Sequence, residues 1–350
     1  GVWEEKRLQR EGPDPGEEAL KERIRPVGPD YALLIAVAGL VTLGLLMVYS
    51  STYIMAYEEY GSANYFIFRQ LLWTVLGAVG LYIMSRIDYH WWQRFSILVM
   101  AGALALLGGV LFFASDKFGA QRWLLNGSGQ PSEFCKLAVI IYIAAWLASK
   151  GERIRRVTYG LIPFAVLIGF IAGLIMLQPD FSTSVLIVAI AIAMFFVAGA
   201  DLLQLFIGLV FGTGTLVFLI TQAPYRLVRI MDFLASLNDP TSTGYHVKRS
   251  LIALGTGGVF GKGLGASRQK LGYLPASHTD SIFAVLGEEL GLVGCLLVMG
   301  LFAFLACRGF KIALEASDTF GAVLATGITC WITFQALLNV AVATSTVPFT

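Results

Sequence analysis

Residues 245–294 read YHVKRSLIALGTGGVFGKGLGASRQKLGYLPASHTDSIFAVLGEELGLVG. The segment is rich in glycine, carries both signs of charge, and turns into an apolar helix at Ile282. Most of the chain around it is built for lipid. A polar, glycine-rich stretch between membrane spans is tolerated only where it faces water or is buried in protein. Ionisable groups in such a place are functional candidates by default.

Working outward, the composition fixes the class. Of 350 residues, 57% are hydrophobic and only 14% charged, against about 25% charged in ordinary soluble domains. The long apolar runs make this an all-α, polytopic integral membrane protein. Nine spans are expected: Tyr31–Tyr49, Gln70–Met84, Phe95–Phe113, Phe134–Leu147, Leu161–Leu177, Ser182–Val197, Leu202–Leu219, Ile282–Ala306 and Phe320–Val340. A polar, aromatic loop is expected at 50–69 and a long one at 221–280, between the seventh and eighth spans. Residues 1–28 read as a polar tail and 29–350 as one transmembrane domain. Cys135, Cys295, Cys307 and Cys330 form no CxxC and lie in or beside apolar spans, so they read as packing residues. The net charge of +2 singles out no nucleic-acid partner.

Basic residues set the orientation. Lys21, Arg23 and Arg25 precede the first span; Arg86, Arg94, Lys150, Arg153, Arg155, Arg156, Arg308 and Lys311 fall in alternate connections. That side is cytoplasmic by the positive-inside rule. The loops at 50–69, 114–133, 178–181 and 221–280 are then outside. The last carries Arg226, Arg229, Lys248, Arg249, Lys262, Arg268 and Lys270. Cations on that side suit an anionic ligand such as a phosphate, or simply lipid headgroups.

Gly255–Gly265, GTGGVFGKGLG, is not a P-loop: five residues separate Gly255 from Gly261 and Gly263 follows the lysine. Ser132 and Lys136 are one residue too far apart for the SxxK nucleophile motif. Gln130-Pro131-Ser132-Glu133 suits a helix start instead. Lys136, a turn further into an apolar helix, either snorkels outward or pairs inside the bundle. Its expected partner is Glu288 or Glu289, at similar depth in the eighth span. Asp280 opens that span as an N-cap, or as a general base or metal ligand at the mouth of a cavity. His278 could titrate near neutrality, or simply hydrogen-bond in its loop.

Together these residues resemble the SEDS family (shape, elongation, division and sporulation). The resemblance rests on Arg122-Trp123, Gln130-Pro131-Ser132-Glu133 with Lys136, Gln178-Pro179-Asp180, and Pro224-Tyr225-Arg226 with Arg229. It continues through Gly257-Gly258, Gly261, Gly263-Leu-Gly265, Lys270, Leu274-Pro275, His278-Thr279-Asp280, Glu288-Glu289-Leu290-Gly291 and Pro348-Phe349-Thr350. It covers residues 30–350 and leans toward the FtsW branch over the RodA branch. Ala276, Gly272 and Ser281 depart from the pattern, where Glu, an acidic residue and Phe are usual.

The resemblance implies a fold of ten transmembrane helices, nine of them in this chain. It implies a peptidoglycan glycosyltransferase of the bacterial cytoplasmic membrane, acting on lipid II at the outer face and releasing undecaprenyl pyrophosphate. A lipid II flippase and a non-catalytic division scaffold are the alternatives. Asp280 would accept the acceptor hydroxyl's proton. Arg226, Arg229, Lys270 or a divalent cation (Mg or Mn) at Asp280 would stabilise the pyrophosphate. Arg122, Trp123, Glu133, Lys136, His278 and Thr279 would contact substrate. The implied partners are a class B penicillin-binding protein and other division or elongation membrane proteins.

Overall fold

The computed structural model describes residues 28–113, 131–177, 180–221, 245–271 and 279–347, with 227, 228, 231, 233 and 274. The helices are α1 (Tyr31–Tyr60), α2 (Tyr65–Arg86), α3 (His90–Phe113), α4 (Pro131–Lys150), α5 (Leu161–Met176), α6 (Phe181–Val197) and α7 (Leu202–Thr221), followed by α8 (Tyr245–Gly257), α9 (Ile282–Leu314) and α10 (Thr319–Ala343). No strand occurs among the described residues. Six of these helices are long and apolar enough to cross a membrane, and α5, α6 and α7 are shorter apolar helices. The protein is a polytopic membrane protein.

Aspartates start three helices. Asp30 accepts from the N–H of Leu33 at 3.1 Å, Asp180 from Thr183 at 3.2 Å, and Asp318 from Gly321 at 3.1 Å. Each satisfies a donor that the first helical turn leaves free. Pro131 opens α4, with Glu133 in its first turn.

The loop expected at 50–69 is mostly helix. Nothing breaks α1 until Gly61, whose φ of 69° ends the helix. Only four residues then connect it to α2. Ser50, Ser51 and Thr52 are polar but buried; Ser51 and Thr52 donate back to the Val48 carbonyl. Their polarity marks a protein-facing side of a span rather than a loop.

The main core lies among α3, α4, α5, α6 and α10, where Phe164 and Phe195 stack at 4.4 Å. Close packing replaces the hydrophobic driving force in lipid. Gly327 permits it, since a Cβ there would meet Ile140 and Met194. A second core joins α1, α8 and α9 through Met47, Ala253, Val285 and Val298. At one face Arg308 pairs with Asp30 at 2.7 Å, Tyr89 donates to Asp318, and Gln204 donates to the Ile154 carbonyl at 3.2 Å. These contacts gather the basic connections at a single end of the bundle.

Candidate active site

The site is organised by a break in α9. Gly291 sits at φ 68°, ψ −164°, which interrupts the helix. In an unbroken helix the N–H groups of Leu292 and Val293 would bond to the carbonyls of Glu288 and Glu289. Here Leu292 and Val293 donate to the carbonyls of Gly258 and Val259, at 3.0 and 3.1 Å. Lys262 and Gly263 donate to the freed carbonyls of Glu288 and Glu289, both at 3.0 Å. The segment after α8 is thus spliced into the gap, and these four interrupted groups find partners. A side chain at Gly261 or Gly291 would collide with the backbone of the other segment.

The segment 221–280 is therefore not simply an outer loop. Its α8 runs beside the first half of α9 and reaches the break, and residues 264–271 follow beside the same half of α9. Ser250, Ala253, Gly257, Ser267, Lys270 and Leu274 are buried. α8 was not foreseen from sequence.

Both glutamates before the break are fully buried, and the returning chain saturates them. Glu288 takes the Lys262 ammonium at 2.7 Å, the Ser267 hydroxyl at 2.6 Å and the N–H groups of Arg268 and Gln269 at 3.3 and 3.2 Å. Glu289 takes the Lys270 ammonium at 2.7 Å, the Ser50 hydroxyl at 2.7 Å and the Ser267 N–H at 3.4 Å. Lys270 also donates to Ser50 at 3.0 Å and lies 5.1 Å from the Tyr53 ring centre. Buried charges survive when paired and hydrogen-bonded, and here three consecutive N–H groups point at the carboxylates. The cluster pins residues 262–270 to α1 and α9.

Two expectations are corrected. No ion pair forms between Lys136 and Glu288 or Glu289. α4 packs on α3, α6 and α10, and both glutamates already hold loop lysines. Lys136, 1% exposed, pairs with Glu133 of its own helix at 2.7 Å and donates to Gln335 at 2.8 Å, 5.4 Å from the centre of the Trp331 ring. Lys270, expected at the pyrophosphate, is engaged by Glu289, Ser50 and the Tyr53 ring.

Asp280 is exposed, in a turn closed by the Ile282 N–H on the Thr279 carbonyl at 3.3 Å. It does not cap α9; Ser281 holds that position. Thr279 is exposed beside it. Glu133 keeps 46% of its side chain exposed. Arg122, Trp123, Arg226, Arg229 and His278 lie outside the described residues. Among the described residues, no group of three or more His, Cys, Asp or Glu side chains could hold a metal ion. Asp280 alone does not make such a site. Sequence reading missed Ser50, Ser267, Gln335 and His246. Hydroxyls and amides carry no long-range pattern that would flag them.

A model of the FtsW, RodA and SpoVE family, described as cell cycle protein, matches residues 31–350. A probable peptidoglycan glycosyltransferase FtsW of Trichlorobacter lovleyi is 39% identical over 335 residues, covering 95% of this chain and 88% of its own. Stage V sporulation protein E of Bacillus subtilis is 39% identical over 331 residues, covering 93% and 90%. Among solved structures, a chain from a peptidoglycan synthase complex that coordinates polymerization and crosslinking superposes with a TM-score of 0.73 at 25% identity, covering 93% of this chain and 90% of that one. The rod shape determining protein RodA of Thermus thermophilus gives 0.64 at 24% identity, covering 91% and 86%.

Proposed function

The chain belongs to the FtsW, RodA and SpoVE family of cell cycle proteins, and from that membership we propose a concrete reaction for it. It is a peptidoglycan glycosyltransferase that polymerises lipid II into glycan strands. A hydroxyl of one lipid-linked sugar attacks the anomeric carbon of another, the new glycosidic bond forms, and undecaprenyl pyrophosphate departs. One observation carries the assignment of roles. Residues 262–270 are pinned to Glu288 and Glu289 inside the bundle, and Asp280 is exposed at the head of α9.

Asp280 accepts the proton of the attacking hydroxyl. Arg226 and Arg229 meet the departing pyrophosphate, where fixed positive charge lowers the barrier. Glu133 hydrogen-bonds sugar hydroxyls with its exposed oxygens, and the enclosed Lys136 holds it in place. Arg122, Trp123, His278 and Thr279 contact the headgroup. Lys262 and Lys270 hold the returning chain rigid, as a site built on a loop requires. The basic end of the bundle faces the cytoplasm by the positive-inside rule, which turns Asp280 to the outer face of the bacterial cytoplasmic membrane.

The proposed role is septal (or lateral) cell-wall synthesis, in keeping with a family of cell cycle proteins. Likeness to a chain of a synthase complex supports a crosslinking partner, a class B penicillin-binding protein. Purified protein given lipid II, with and without that transpeptidase, tests the function. Glycan strands and free undecaprenyl pyrophosphate are expected. Proteoliposomes that move labelled lipid II across the bilayer, with no polymer in either condition, would make the protein a flippase.

A further inference from the structure

We propose that His246 is a positioning residue for Asp280, acting through Ser281; the inference rests on the reading of Asp280 as the base. α8 and the first half of α9 lie side by side. At their inner ends Gly257 packs on the Gly287 backbone, and Thr256 lies 3.4 Å from Glu288. At their outer ends His246 Nε2 and Ser281 Oγ share a hydrogen bond of 2.9 Å. The second contact closes the pair at the end where the chemistry occurs.

Ser281 is used unusually. It occupies the N-cap of α9, where a serine hydroxyl normally accepts from the helix's second or third free N–H. Its side chain makes no such bond. The first turn closes on its backbone carbonyl instead, which accepts from Ala284 at 3.0 Å and Val285 at 3.2 Å. The hydroxyl shares a hydrogen bond with the imidazole of His246. Ser281 is 1% exposed, whereas its neighbour Asp280 is exposed. Ser281, tied to α8 by this bond, is the chain neighbour of Asp280, so the bond restrains the turn Thr279–Ile282 that carries the carboxylate.

His246 is half-buried and is placed by the pinned segment that follows it. The same splice that saturates α9 at Gly291 thus fixes the imidazole at the other end of α8. No covalent step is assigned to it. Its contribution is to keep the carboxylate within reach of the acceptor hydroxyl, since displacement of a reacting group by about 1 Å can cost up to ~10²-fold in rate.

The test uses the full protein with its transpeptidase partner, and lipid II as substrate. His246→Ala and Ser281→Ala should each lower turnover by about tenfold, with KM for lipid II and the melting temperature unchanged. The double variant should be no slower than the slower single one, because both act through one bond. His246→Gln, whose carboxamide still reaches the serine hydroxyl, should recover most of the turnover. In an Asp280→Asn background His246→Ala should cost nothing more. Full turnover in His246→Ala, a loss confined to KM, multiplicative losses, no recovery in His246→Gln, or a further loss in the Asp280→Asn background would each overturn the proposal. The two readings fail separately. Full activity in Asp280→Asn removes the base itself, whereas an inactive Asp280→Asn with a fully active His246→Ala removes only the role of His246.

Discussion

The molecule encloses lysine–glutamate pairs in two places, and they are built differently. At the head of α4, Lys136 pairs three residues back with Glu133, and 46% of the glutamate side chain stays exposed. In the break of α9, Lys270 and Glu289 are both almost wholly buried, and their partnership spans nineteen residues of chain. The first pair is local and open on one side, so water can take over from a missing partner. The second is sealed and long-range, so a missing partner leaves a charge with no solvent. Charge is alike in the two; what differs is burial and what each pair holds. The α4 pair orients one side chain, while the α9 pair holds a whole segment in the bundle.

The largest effect therefore belongs to the sealed pair. Glu289→Gln or Lys270→Met should lower unfolding stability in detergent by about 3–5 kcal/mol, the usual cost of orphaning a buried charge. Thermal or denaturant unfolding measures it. Losses within a few tenths of a kcal/mol would mean that the segment is not pinned there.

Lys262→Met comes next. Lys262 keeps 34% of its side chain exposed, and Glu288 would retain Ser267 and two backbone N–H groups. A loss of about 2 kcal/mol is expected, discounted for solvent screening.

Lys136→Met should cost only about 1 kcal/mol, mostly the bond to Gln335, because Glu133 can hydrate. Combined with Glu289→Gln the losses should add, since the two sites share no partner. Recovery of stability in that double variant would restore the pairing expected from sequence and erase the contrast.

The smallest effect concerns pH at the opposite face. The Leu33 N–H, with Arg308 beside it, holds the Asp30 carboxyl below its ordinary value. A depressed carboxylate contributes stability above its unfolded pKa and loses it as pH falls through the folded value. The melting difference between wild type and Asp30→Asn should thus be present near neutral pH, begin to shrink at about pH 4 and vanish as pH falls through the lowered folded value.

Much of the fold is legible in the sequence because lipid imposes length and hydropathy on each span. Polar caps such as Asp180 and Asp318 mark helix starts in the same local way. The α1 extension to Tyr60 is hidden because Ser50–Thr52 look like loop, although their hydroxyls serve the interior. The partners of Glu288 and Glu289 are hidden for a different reason. They follow from the break at Gly291, which the sequence shows as one more glycine in Leu-Gly-Leu-Val-Gly. That break admits the segment 258–263, and only then do Lys262 and Lys270 fall beside the glutamates. Asp280 was legible as a candidate, but its position beyond the cap depended on Ser281 taking that place.

The central claim is that this exposed carboxylate does chemistry. Asp280→Asn preserves shape and removes charge and proton affinity. With no cap to lose, the variant should melt at the wild-type temperature and still bind lipid II. Polymerisation with the transpeptidase present should fall by at least ~10²-fold, the lower end for loss of a general base. Wild-type rates of glycan synthesis by Asp280→Asn would contradict the account.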